Sequence, residues 1–255
     1  MGISCPLCGS MKTKTLFINS NWGIATCQNC TNAWTEPPPD KIKYEEKNFH
    51  SQFGFRDIAE LPSQWKKGVL MQADLVARHL WPKARILEIG CGEGLFLKEL
   101  SRRGFDVYGI EASKTAAETA RKSGLNVFTG YFPDTQLSGP FDAVVMLQAL
   151  EHIPKPIDFL NQLGKTASGA IILLVQSNWK GLVPRYYKQK WYAWVPEQHF
   201  WHFTPKGLNL LLKRLHWKTI KVEYSSLSHG NSIVSLIGEA IPRLGDQFHL
   251  LASIP

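Results

Sequence analysis

The chain has 255 residues, 44% of them apolar and 20% charged, enough to bury a sizeable core in one large domain, or in one domain plus a small module. No apolar run reaches the roughly 18 residues of a membrane helix. The start, Met1-Gly2-Ile3-Ser4-Cys5-Pro6, has neither the basic and apolar regions of a signal peptide nor the hydroxyl residue at position 6 that myristoylation requires, so a cytoplasmic chain is expected.

In chain order, the first feature is Cys5-x-x-Cys8 and, after an 18-residue gap, Cys27-x-x-Cys30. Two knuckles of this spacing bring four thiolates into a tetrahedron, which suits Zn²⁺. All four ligands come from the protein, so such an ion is structural and has no open position for chemistry. Residues 1–36 are therefore expected to form a zinc ribbon, with a strand over Lys14–Asn19, a turn at Asn21-Trp22-Gly23 and a returning strand. Glu36-Pro37-Pro38-Pro39-Asp40 reads as a stiff linker and a domain boundary. Residues 41–62 are polar with interspersed aromatics (Tyr44, Phe49, His50, Phe53, Phe55), and a role covering a ligand pocket is expected of them. A helix is expected over Ser63–Leu80, with Ser63 as its cap and Val69, Leu70, Ala73 and Val76 turned inward. Residues 37–80 thus form a linker and helical cover, and 81–255 the main domain.

From Arg85 the pattern alternates. Strands are expected at 85–89, 107–110, 127–129, 141–147 and 170–175, with helices at 95–103, 114–123, 157–163 and 205–215. Thr219–Tyr224 and Gln247–Ala252 close the series. Such alternation predicts an α/β fold: a doubly wound, mostly parallel seven-stranded sheet with helices on both faces. The first unit carries the chemistry. The strand Arg85–Ile89 runs into Gly90-Cys91-Gly92-Glu93-Gly94, a helix follows, and the next strand ends at Glu111. Glycines let a backbone approach a nucleoside closely, and a carboxylate about 20 residues on can accept from both ribose hydroxyls. A dinucleotide site expects its third glycine where Leu95 stands, and the Gly-Lys-Ser/Thr of a P-loop is missing.

Gly90-x-Gly92-x-Gly94, with Glu88 before it, resembles motif I of class I S-adenosylmethionine (SAM) methyltransferases. Two later segments extend the resemblance. Phe141-Asp-Ala-Val-Val-Met-Leu-Gln-Ala-Leu-Glu-His152 is similar to the Asp-x-Val-x(5)-Leu-Glu-His stretch of the small-molecule branch. His199-Phe-Trp-His-Phe-Thr-Pro205 is similar to its His-x-x-x-Phe-Thr-Pro segment. Together they cover roughly residues 80–220 in the family's order. From the residues alone, Leu147–His152 would be only a strand end leading into a helix.

The resemblance implies SAM as cofactor and S-adenosylhomocysteine as product. It assigns Gly90, Cys91, Gly92 and Gly94 to the methionine part and ribose, Glu88 to the methionine ammonium, and Glu111 with Ala112 to the ribose hydroxyls. Gly130, Tyr131 and Phe132 would flank adenine, and Gln148 and Ala149 would close its other side. Read from the residues, Cys91 is a small buried side chain within the turn, and Glu88 has a capping role as its alternative. His152 follows the fourth strand, at the carboxyl edge where such sheets bind ligands, and suits a general base; a structural histidine is the alternative. His199 is the second candidate base. Residues 177–204 read as an aromatic, basic lid, with Tyr186, Tyr187, Trp191, Trp194 and His199 as substrate-pocket candidates.

The net charge of +8 is uneven: residues 180–220 hold eight basic side chains against Glu197 alone. Basic residues among aromatics fit an anionic, ring-bearing or membrane-surface partner, or else a solvated face over core aromatics. The leading expectation is methyl transfer to a small molecule, an anionic or aromatic acceptor, at oxygen, of the sugar or secondary-metabolite type. An rRNA or tRNA methyltransferase is the alternative, since ribosomal RNA enzymes also join a four-cysteine site to this fold. A non-catalytic SAM-binding interaction protein is the third reading. No Asn-Pro-Pro-Tyr/Phe and no Lys-Asp-Lys-Glu tetrad is legible, which argues against amino-methylating and ribose 2′-O branches.

Overall fold

The computed structural model describes residues 4–18, 21–39, 55, 57–135, 137, 139–226, 237, 241 and 244–255. The covering role expected of residues 41–62 falls mostly outside them. Within that stretch, Ile58–Glu60 is a 3₁₀ turn whose first amides are capped by Asp57.

Two sheets organise the chain. The larger has seven strands in the order β10-β11-β8-β7-β4-β5-β6, where β4 is Arg85–Ile89, β5 Asp106–Glu111, β6 Asn126–Thr129, β7 Ala143–Leu147, β8 Ile171–Ser177, β10 Lys218–Ser225 and β11 Gln247–Ser253. β4 pairs in parallel with both β5 and β7, and β5 with β6. Ile86, Leu87, Val144 and Val145 are all fully buried. Burial on both faces is why β7, Ala143–Leu147, reads as an unbroken apolar run rather than as an alternating one. The chain leaves β4 first toward β5 and β6, then returns to β4's other side with β7. Ligands bind beyond the carboxyl ends of the strands at such a switch point.

The helices are α1 (Ser63–Ala77), α2 (Leu95–Arg102), α3 (Lys114–Lys122), α4 (Pro156–Thr166), α5 (Leu182–Tyr187) and α6 (Pro205–Arg214). α2 buries Phe96, Leu97 and Leu100 on one face. α3 is capped by Ser113, and its buried face is Ala116, Ala117 and Ala120, small enough for close approach to the sheet. α1 differs from expectation in two ways. Its cap position is Pro62, with no side-chain cap bond, so Ser63 opens the helix instead of capping it. The helix ends at Ala77, and Ala73 and Val76 are buried while Val69 and Leu70 are only partly so.

The smaller sheet has the order β1-β2-β3-β9: Thr13–Ile18, Gly23–Cys27, Ala33–Glu36 and Trp201–His202. The third and fourth strands have no counterpart in the sequence expectation. Ala33 and Trp34 pair with His202 and Trp201, so the last strand comes from far along the chain. A two-residue strand gives no period to detect.

By their contacts the described residues fall into two compact units. One takes those of Met1–Lys43, Gln148–Asn161 and Val175–Ala252; the other takes those of Tyr44–Leu147, Gln162–Leu174 and Ser253–Pro255. The segment 177–204, expected as a lid, lies in the first unit with the ribbon strands and largely forms its core. Ile24, Ala33, Val183, Trp191, Ala193 and Trp194 make one buried cluster. Trp191 and Trp194 meet edge to face with ring centroids 5.0 Å apart, and Phe17 meets Trp194 at 5.1 Å. Each such pair adds about 1 kcal/mol beyond its area burial. Of the five pocket candidates, Trp191 and Trp194 are thus core residues, whereas Tyr186 and Tyr187 project into solvent.

Candidate functional site

In the second unit, the turn after β4 is built on three glycines with φ of +77°, +55° and +76° at positions 90, 92 and 94. These left-handed angles are costly for any residue with a Cβ. Gly94 has a second reason: a Cβ there would lie 2.3 Å from Leu125 Cδ1. The Gly90 and Cys91 amides both donate to the Ile110 carbonyl, at 2.8 and 3.3 Å, which ties the turn to β5. Cys91 is buried, with its thiol pushed well up by burial and then by Glu88 and Glu111.

Two carboxylates face this turn. Glu111 accepts from the Gly92 amide and the Ser113 amide, each at 2.8 Å, so the acid at the end of β5 clamps the glycine turn. Burial raises its pKa, opposed by those amides. Glu88 is 2% exposed, and its Oε2 has no hydrogen-bond partner among the described residues. Burial, and then the negative charge of Glu111, hold Glu88 well above the usual carboxylate range. An orphaned buried carboxyl is expensive unless a cation or donor arrives. An ammonium group would meet both needs, so this pair fits an amino-acid-bearing nucleoside. Gly130, with φ +147°, donates its amide to the Glu111 carbonyl, and a Cβ there would lie 2.6 Å from Thr135 Oγ1. Next to it Tyr131 is exposed and Phe132 buried. Ala112 lies between Glu111 and Ser113, at the end of β5.

The first unit holds the other candidates. Gln148 sits at φ +51°, a strained conformation for a residue with a side chain, costing of the order of 1 kcal/mol. Its amide donates to Val175 and its Oε1 accepts from Ser177, while its Nε2 is buried without a partner among the described residues. Ala149 then caps the 3₁₀ turn Leu150–His152. That turn is fixed to the aromatic segment: Phe200 donates its amide to the Glu151 carbonyl, and the Trp201 indole donates to the Ile153 carbonyl at 2.8 Å.

Folding brings the Leu-Glu-His and His-x-x-x-Phe-Thr-Pro segments together. The rings of His152 and His199 meet edge to face with centroids 4.7 Å apart, and His202 lies 6.0 Å from His199. His152 Nδ1 is 3.2 Å from the Gln198 carbonyl and His199 Nδ1 is 3.1 Å from the Ala193 carbonyl. Ligand-capable atoms of Glu151, His152 and His199 lie within 4.8 Å of one another, close enough to hold one cation. Glu151, His199, His202, Gln176 and Trp191 line one small cavity. Burial pushes Glu151 up to about 7, His152 down to about 4 and His199 down to about 3. One oxygen of Glu151 has no partner among the described residues. Sequence reasoning singled out the two histidines and missed Glu151 and His202. Both stand in the quoted motifs, and burial is the signal that would have found them.

The four cysteines converge as well. Cys5 and Cys30 sulfurs are 3.7 Å apart, Cys8 and Cys27 sulfurs 3.5 Å, and all four lie within 4.8 Å of one another. Tetrahedral ligation at about 2.3 Å sets sulfurs about 3.8 Å apart, so the thiol set fits zinc. The Cys30 amide points at Cys27 Sγ, 3.4 Å away, and the Asn29 amide at Cys8 Sγ, as supporting donors around a metal–thiolate site do.

Comparison with known proteins defines the class. A profile described as "Methyltransferase domain" matches residues 29–222, and the chain belongs to that family. Among particular relatives, it is 39% identical over 105 residues to a ubiquinone biosynthesis O-methyltransferase of Caulobacter sp. (strain K31), a match covering 37% of this chain and 41% of that protein. The matched stretch is thus less than half of that relative's length. A SAM-dependent methyltransferase of Thermotoga maritima, described as a possible histamine N-methyltransferase, superposes with a TM-score of 0.57 at 21% identity, covering 74% of this chain and 89% of that one. The magnesium protoporphyrin IX methyltransferase of Synechocystis, solved with S-adenosylhomocysteine bound, gives 0.55 at 18%, covering 73% and 81%. These two structures share the fold.

Proposed function

We propose that the chain is a SAM-dependent methyltransferase acting on a small-molecule acceptor at oxygen. The observation that carries this reading is the buried pair at the glycine turn, with Glu111 clamping Gly92 and Glu88 Oε2 left without a partner among the described residues. Membership of the methyltransferase domain family and the O-methyltransferase relatives support it. In this reading Gly90, Cys91, Gly92 and Gly94 pass the methionine part and ribose. Glu88 receives the ammonium, ionising as it does so. Glu111 accepts from the ribose hydroxyls with the lone pairs its two amides leave open, beside Ala112. Gly130, Tyr131 and Phe132 flank adenine.

When bound, SAM supplies a methyl group on a sulfonium, already activated for in-line displacement. The chain's own task is to orient the acceptor and take its proton. His152 and His199, neutral at pH 7, are the proton acceptors. Glu151 stabilises the imidazolium that forms and holds the pair in place, much as the acid of a nucleophile–base–acid arrangement does. The four cysteines hold a structural zinc, which stays out of the chemistry because no ligand position is open.

Calorimetric titration of ligand-stripped protein with SAM and S-adenosylhomocysteine tests the cofactor. Micromolar binding that Glu111→Ala weakens about 100-fold is expected; binding of neither compound overturns the reading.

A further inference from the structure

In the first unit the fold gathers four cations from four separate segments. Lys14 on β1, Lys180 after β8, Arg185 on α5 and Lys206 on α6 are all exposed. They lie near enough that Lys206, Arg185 and Lys14 all depress Lys180, after burial, which is the larger cause. None of the four is in an ion pair with a carboxylate among the described residues. Lys206 also stands in the first turn of α6, where the helix dipole is unfavourable to a cation. Like charges brought together without counter-charges cost stability, so the arrangement calls for a partner.

The patch continues into Arg185-Tyr186-Tyr187-Lys188-Gln189-Lys190, where every residue is exposed and none is acidic. This run is held firmly. Val183 and Pro184 just before it are buried, and the Lys188 carbonyl accepts from the buried Trp194 indole at 2.8 Å. Lys188 itself is kept at φ +51°, a conformation that residues with side chains rarely adopt. A strained, anchored backbone thus holds three cations and two tyrosines outward. Tyr186 is 64% exposed, an uncommon degree for an aromatic side chain.

We propose that this face, centred on Lys180 and Arg185–Lys190, docks the protein on an anionic lipid surface. The cations meet headgroup phosphates, and the tyrosine rings enter the interfacial layer, where amphipathic rings are favoured. Single-stranded RNA is the less favoured partner. Tyr186 and Tyr187 stand edge to face at 86°, so they cannot offer successive bases a common stacking platform. The inference does not depend on the methyl-transfer reading.

The test is co-sedimentation of the full chain with vesicles of phosphatidylcholine alone and of phosphatidylcholine mixed with phosphatidylglycerol. Binding to the mixed vesicles only, weakening as salt rises, is expected. Arg185→Gln/Lys188→Gln/Lys190→Gln should lower partitioning about 100-fold, at about 5-fold per cation. Tyr186→Ser/Tyr187→Ser should lower it at every salt concentration. Lys122→Gln/Lys165→Gln, on exposed sites of the other unit, should leave it unchanged. All the substituted side chains are exposed, and an unchanged melting temperature checks that each variant is folded. Equal binding to both vesicle types, or an unaffected triple variant, overturns the proposal. So does displacement by inorganic phosphate at constant ionic strength, or binding to an RNA oligonucleotide in place of vesicles.

Discussion

The glycine turn at 90–94 and the histidine cluster at 151–202 both place ionisable groups in dry surroundings, by opposite means. At the turn, a carboxylate at the end of the neighbouring strand is satisfied by backbone amides, and all the parts lie within the 26 residues Glu88–Ser113. At the cluster, side chains from a 3₁₀ turn and from a distant aromatic segment meet only because hydrogen bonds pin one to the other. The first is a backbone device held by residues close in sequence. The second depends on packing, and a small shift of either segment separates its members.

Perturbing each region sharpens that contrast. The largest effect is expected at the cluster. His199→Ala should lower kcat by 10² to 10⁴, roughly the worth of general base catalysis, while leaving S-adenosylhomocysteine affinity as it is. Comparable losses of both would place His199 in the cofactor site instead. Glu151, raised to about 7, should give kcat/KM a limb rising through about that pH, and Glu151→Gln should remove it.

Next comes the cysteine site beside it. Cys27→Ser/Cys30→Ser should reduce bound zinc from one per chain to none and lower the melting temperature by more than about 10 °C. Metal analysis near zero for freshly prepared wild-type protein would reject the zinc assignment. At the turn, Glu111→Ala should weaken S-adenosylhomocysteine binding about 100-fold, for two charge-assisted hydrogen bonds of about 1.5 kcal/mol each. Glu88→Gln should cost less, about tenfold. It should also abolish the proton release that ionisation of wild-type Glu88 on binding would produce, measurable by calorimetry in buffers of different ionisation heat.

The smallest effect is on stability against pH. His152, His199 and His249, the last buried on β11, have folded pKa values depressed from 6.5 to between about 3 and about 4, so the unfolded chain binds more protons there. Their contribution is complete above about 6.5 and is lost as pH falls toward 4. Glu88, Glu111 and Glu151, all raised by burial, act oppositely over much of that window, but His202 is depressed as well, so three groups stand against four. The melting temperature should therefore be lower at pH 5 than at pH 7.5, and His249→Gln should shrink the difference.

The sequence by itself determined what neighbours along the chain can fix. The alternating strands and helices, the glycine turn, the acid that ends β5 and the paired cysteine knuckles all follow from local period and spacing, because their partners are either adjacent or set by a repeating geometry. Tertiary structure alone decided what needs distant partners. β9 is two residues long and exists only through β3, so no period announces it. Trp191 and Trp194 became core because Ile24 and Ala33 meet them there, although their aromatic, basic neighbourhood suggests a lid. Glu151 looks in sequence like any acid at a helix start. Its raised pKa and its nearness to His199 come from burial, which depends on everything packed around it.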